Sequence, residues 1–87
     1  MDNVVFVGKK PLIQYVYSVI VQFTNGQKEV HVKARGKAIS RAVDVVNVLK
    51  RKFMAGVKVK EIQIGSEEVE REGKKVNVST IDIVLSQ

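Results

Sequence analysis

The chain has 87 residues, 45% of them hydrophobic, a single proline, no cysteine and a net charge of +6. That length allows one domain, 1–87, with a thin core, because so small a chain hides only roughly 60% of its unfolded surface on folding. The missing cysteine excludes a disulfide scaffold, a thiolate nucleophile and a cysteine-based zinc site, and the hydrophobic fraction excludes a disordered tail.

The charge is unevenly placed. From Lys9 to Lys60 twelve Lys or Arg residues stand against Glu29 and Asp44, a balance of +10, whereas from Glu61 onward the balance is −3. Such concentration suits a surface that meets a polyanion, although a basic solubilising surface also produces it. The start, Met1-Asp2-Asn3, is acidic and unlike a signal peptide. The longest apolar stretch, Ile13 to Phe23, is interrupted by Gln14, Ser18 and Gln22 and is too short to cross a bilayer. A soluble protein without a membrane partner is expected, with part of its apolar surplus covering a partner subunit.

Asn3 to Val7 forms a short apolar strand stopped by Gly8. Pro11 suits a first helical position, and Leu12, Val16, Val19, Ile20 and Phe23 recur at helical spacing until Asn25-Gly26. Ile13, Tyr17 and Val21 widen the stripe, as in a helix covered on more than one side. Lys9 and Lys10 precede this helix, where its dipole disfavours cations. They are either a solvated loop pair or a site where a phosphate meets free helix N–H groups.

Glu29 to Ala34 reads as a second strand, with Val30, Val32 and Ala34 on one face and His31, Lys33 and Arg35 on the other. His31, the sole histidine, lacks the neighbours of a metal site. A second helix runs from Lys37 or Ala38 to about Phe53. Ala38, Ile39, Ala42, Val43, Val46, Leu49 and Phe53 form its apolar face, and Arg41 lies within reach of Asp44. Lys50-Arg51-Lys52 suits the negative end of its dipole without any ligand.

Val57 to Ile64 is a third strand whose apolar residues switch from odd to even positions, implying a bulge near Lys60-Glu61. Around Glu72-Gly73 the chain folds back. Setting Arg71 opposite Lys74 aligns Val69 with Val76, Ile64 with Ile81 and Ile62 with Ile83. The polar stretch 65–79 then becomes an arm, able to enter a nucleic-acid groove or to stand as a mobile surface hairpin. It is net −1, with Arg71, Lys74 and Lys75 gathered at its tip.

Catalysis is not expected: no cysteine, one histidine and no metal-ligand cluster leave nothing to position, and the arm's glutamates face no pocket. The basic join Val32 to Arg41, a strand passing through Gly36 into a helix start, is instead an anion-binding corner. Lys33, Arg35, Lys37 and Arg41 supply its charge.

Val4-Val5-Phe6-Val7-Gly8-Lys9-Lys10-Pro11 and Lys33-Ala34-Arg35-Gly36-Lys37-Ala38-Ile39-Ser40-Arg41-Ala42-Val43-Asp44 carry a resemblance. Ile62-Gln63-Ile64-Gly65-Ser66 and Val78-Ser79-Thr80-Ile81 extend it. From Val4 through Val84 the chain resembles the Alba family of archaeal chromatin proteins. The resemblance implies an α+β, two-layer α/β sandwich of order β-α-β-α-β-β. It has a mixed four-stranded sheet, two helices on one face and a protruding C-terminal hairpin, and it is similar to the C-terminal domain of a bacterial translation initiation factor. It implies homodimers whose bodies lie across double-stranded DNA while the arms reach toward the minor groove. Such dimers would coat, bridge and compact DNA without reading sequence, chromosome-associated in the cytoplasm, and would also bind RNA.

On this resemblance the nucleic-acid contacts fall on Lys9, Lys10, Arg35, Gly36, Lys37 and Arg41, with the tip residues Arg71, Lys74 and Lys75 added from the charge pattern. Acetylation falls on Lys9 or Lys10, and a contact between dimers falls on Phe53, which alternatively closes the protein's own core. No cofactor, metal or catalytic residue is implied. An RNA-binding ribonucleoprotein component and a homomeric protein-interaction domain are the rival functions.

Overall fold

A computed structural model describes residues 3–87; Met1 and Asp2, which belong to the acidic start, lie outside the described residues. The order is β1 (Val4–Phe6), α1 (Leu12–Thr24), β2 (Glu29–Arg35), α2 (Ile39–Val48), β3 (Lys58–Arg71) and β4 (Lys74–Ser86). A single tight turn, Gly36–Ala38, leads into α2, and a widened turn, Leu49–Phe53, ends it. The sheet order is β1-β2-β4-β3, with β1 parallel to β2 and β4 antiparallel to both its neighbours. This is the expected α+β, two-layer arrangement with a mixed four-stranded sheet.

The core forms where the two helices pack on β1, β2 and β4. Val16, Val19, Val30, Val32, Val45, Leu49 and Leu85 are fully buried there. Alternation in β2 puts Val30, Val32 and Ala34 into this core and leaves His31, Lys33 and Arg35 on the uncovered face. Neither helix contains a side-chain cap, so packing rather than capping fixes their ends.

The hairpin register is the expected one: Arg71 with Lys74, Val69 with Val76, Ile64 with Ile81 and Ile62 with Ile83. The bulge lies between Val59 and Glu61. Glu72 and Gly73 both have positive φ, 50° and 76°, as a two-residue type I′ turn requires. Pairing of β2 with β4 stops at Arg35 and Thr80, so β3 and β4 continue outward from Ser66 and Ser79 with only each other as partners. Stretches 66–71 and 74–79 therefore form a two-stranded arm of roughly 20 Å, about 3.3 Å per residue. It accounts for much of the 43 × 22 × 20 Å outline.

Three expectations need correction. Pro11 is the N-cap rather than the first helical residue: its ψ of 142° is extended, while its carbonyl accepts the first helical bond from Gln14. The buried apolar face of α2 and its last turn is Ala42, Val45, Val46 and Leu49, with Ala38 and Ile39 packed against the core as expected, whereas Val43 and Phe53 are 40% and 51% exposed. The widened last turn, closed by Met54 N–H on the Leu49 carbonyl, carries Phe53 off that stripe. Arg41 does not pair with Asp44 but turns to two backbone carbonyls. Ile62 and Ile64 meet Ile83 and Ile81 as expected, and they are 56% and 83% exposed because β3 is the outer strand and the helices cover the other three.

Candidate nucleic-acid interface

Parallel neighbours end at the same edge of a sheet, so the loop leaving β1 and the turn leaving β2 come together. The first is Gly8-Lys9-Lys10; the second is Gly36–Ala38. They line a shallow open groove with Lys9, Arg35, Gly36, Lys37 and Arg41, and Arg71 closes it from the arm side. Six of the nine expected contact residues thus share one surface. Lys10 adjoins it in sequence, while Lys74 and Lys75 sit exposed at the arm's tip, beyond the groove lining.

Two side chains hold the first loop. The Gly8 and Lys10 N–H groups both donate to the Tyr15 hydroxyl, at 2.9 and 3.1 Å. Arg41 Nε donates to the Gly8 carbonyl at 2.8 Å, and its terminal nitrogen donates to the Lys10 carbonyl. Both backbone groups of Gly8 and of Lys10 are satisfied in this way, with Lys9 held between them. Tyr15 is buried and Arg41 half-buried, so the clamp is set into the body rather than floating in solvent. Arg41 therefore holds the loop in position. A guanidinium bound to two carbonyls in a partly buried site gains more than one paired with an exposed, screened carboxylate.

Gly36 gives the second turn its shape. Its φ is +60°, a left-handed conformation that side chains resist, and an added Cβ would stand 3.4 Å from Val78 Cγ1. The exposed Lys37 follows it immediately.

The cations divide into two sets. Among the described residues no carboxylate lies within 4.0 Å of Lys9, Lys10, Lys37, Arg71 or Lys74. Cations of the uncovered sheet face find carboxylates instead. Arg35 meets Glu67 at 2.5 Å, Lys33 meets Asp82 at 3.9 Å, and Lys60 bonds Glu29. The Lys60 hydrogen bond, with its charge, holds the Glu29 carboxyl below its ordinary range and raises Lys60 correspondingly. At the arm, Lys75 is 3.9 Å from Glu68.

His31 is satisfied within the sheet, its Nδ1 lying 3.0 Å from both Asp82 oxygens. Among the described residues no group of three or more His, Cys, Asp or Glu side chains is placed to hold a metal ion. No described helix is long and apolar enough to cross a membrane. Tyr15, Glu67 and Asp82, which hold the first loop, Arg35 and His31, do not stand out in the sequence. The one available signal is the loop's need for backbone partners, which points to an aromatic hydroxyl one turn into α1.

Comparison with known proteins agrees with this fold. A sequence model of the Alba family matches residues 3–66. The DNA/RNA-binding protein Alba of Methanococcus maripaludis is 54% identical over 87 residues, covering 98% of both chains. The protein of the same name from Methanocella arvoryzae is 51% identical over 87 residues, covering 99% of this chain and 91% of the relative. The solved structure of Alba from Thermoplasma volcanium superposes with a TM-score of 0.92 at 44% identity, covering 97% of this chain and 99% of that one. These relatives bear the names of binding proteins, not of enzymes. With the fold, the basic groove and full-length similarity in agreement, the chain belongs to the Alba family.

Proposed function

We propose that this protein binds double-stranded DNA through its phosphate backbone, without reading sequence, and as a homodimer coats, bridges and compacts it. The carrying observation is the clamped loop: Lys9 and Lys10 are exposed, free of carboxylates among the described residues and presented beside Lys37 by a backbone that is already fixed. A pre-ordered cationic edge forfeits little entropy on meeting phosphates, and Lys, unlike a planar fork, tolerates any local backbone geometry. The arm supplies reach toward the minor groove through Arg71, Lys74 and Lys75, while the body supplies most of the affinity. Acetylation of Lys9 or Lys10 would remove a phosphate-neutralising charge and weaken binding on every sequence.

Self-association is supported by apolar surface left without a partner. Val59, Ile62 and Ile64 form an exposed strip on the outer strand. Phe53 stands free at the end of α2, where we place the contact between neighbouring dimers. The site of action is the chromosome, in the cytoplasm. RNA is the second ligand, a reading favoured by the paired naming of the relatives as DNA/RNA-binding.

The test is a competition among duplex DNA, duplex RNA and single strands at one salt concentration, with sedimentation to count protomers. Duplex DNA is expected to win, bound by an even number of chains. A clear preference for RNA would make the ribonucleoprotein role primary, and failure to bind any polyanion near physiological salt would leave only the protein-interaction function.

A further inference from the structure

Arg35 differs from the other cations of the groove because, among the described residues, it is the one paired with a carboxylate. It is the last residue of β2, on the uncovered face, and its Nη1 lies 2.5 Å from Glu67 Oε1. Glu67 belongs to the arm: it pairs with Val78, two rungs beyond the level at which Arg35 pairs with Thr80. The contact therefore crosses β4 diagonally and ties the base of the two-stranded arm to the body. Both side chains are accessible, 65% and 47% exposed, so a phosphate can reach the guanidinium from solvent.

We infer that Glu67 is an internal phosphate mimic, competing with the nucleic-acid backbone for Arg35 and setting the affinity of the groove. This rests on the phosphate-binding function proposed above. The Arg35–Glu67 contact is one charge-assisted bond, and a phosphate offers the guanidinium fork at least as many oxygens, so exchanging the carboxylate for a phosphate loses no such bond. Lys9 and Lys37 meet the backbone first, since neither holds a carboxylate among the described residues. Arg35 then exchanges Glu67 for a phosphate, which unties the arm's base and lets the ribbon follow the groove. The exposed pair is weak enough to be displaced and strong enough to tax binding.

Glu67→Gln separates this competition from a general charge effect when set beside Glu70→Gln. The second variant removes the same charge from an arm residue that has no cation within 4.0 Å among the described residues. Affinity for a duplex DNA is measured by fluorescence anisotropy at low salt, in the wild type and in an Arg35→Gln background. Glu67→Gln is expected to tighten binding about fivefold, ~1 kcal/mol, against less than about twofold for Glu70→Gln. The Arg35→Gln background is expected to abolish the difference between them. In the wild type the Arg35 Nε resonance should shift on adding DNA, reporting the change of partner. Equal gains for the two variants would reduce Glu67 to general electrostatics. Weaker binding by Glu67→Gln would make the contact a support for the arm, and either result overturns the competition. If wild-type protein fails to bind while correctly folded, it is the phosphate-binding function itself that falls.

Discussion

Tyr15→Phe removes one oxygen atom and keeps the ring. That oxygen accepts from the N–H groups of Gly8 and Lys10, so the variant deletes two hydrogen bonds without emptying the core around a buried side chain. Net contributions of about 0.5–1.5 kcal/mol each give a loss between ~1 and ~3 kcal/mol. The lower half of that range applies, because the loop is near the surface and water can replace part of what is removed. For a domain of this size ~1 kcal/mol corresponds to a fall in Tm of roughly 4–8 °C. The decisive assay is local: amide hydrogen exchange at Gly8 and Lys10 should accelerate while the Val30 and Val32 amides change only with global stability. Duplex affinity should fall with it, because Lys9 must then be ordered during binding. Unchanged exchange at Gly8 and Lys10, or a Tm within about 1 °C of wild type, roughly a quarter of the least expected shift, would show that Arg41 alone holds the loop.

Lys9→Gln with Lys10→Gln should weaken binding to AT-rich and GC-rich duplexes alike. The salt slope should drop by about 1.8, at ~0.9 for each phosphate that is no longer neutralised. A loss confined to one duplex class would indicate base readout. Gly36→Ala should destabilise the protein by ~1–2 kcal/mol in chemical denaturation, since φ +60° is costly for a side chain, whereas Gly56→Ala should not reproduce that strain. The Glu29–Lys60 pair predicts a pH dependence. The folded Glu29 carboxyl titrates below its ordinary value, so its contribution is complete above the ordinary carboxyl range and disappears as pH falls through the lowered value. Lys60, raised, contributes below the ordinary lysine range and stops doing so as pH rises past its raised value. The stability deficit of Lys60→Gln, measured against wild type, should therefore be present at neutral pH and vanish in strong acid; a constant deficit would mean a packing effect.

The architecture was legible because its determinants are periodic or local. Alternation in β2 separated Val30 and Val32 from His31 and Lys33, and Glu72-Gly73 set the arm's register through a turn needing two positive φ values. The change of parity between Val59 and Ile62 marked the bulge. The α2 face was less legible: Val43 and Val45 are equally apolar, and it is Val45, at i+3 from Ala42 beside Val46 and Leu49, that packs inward.

The sequence by itself determined the number and type of elements, the arm's register, the clustering of positive charge before Glu61 and the family. Tertiary structure alone decided which charges are free. Arg41 lies 33 residues from Gly8, Glu67 lies 32 from Arg35, and Asp82 lies 51 from His31. No local spacing rule connects such pairs; they meet because β4 inserts between β2 and β3 and because parallel β1 and β2 end at one edge. A charge's availability depends on the distance to its nearest counter-charge, and that distance exists only once the sheet has closed.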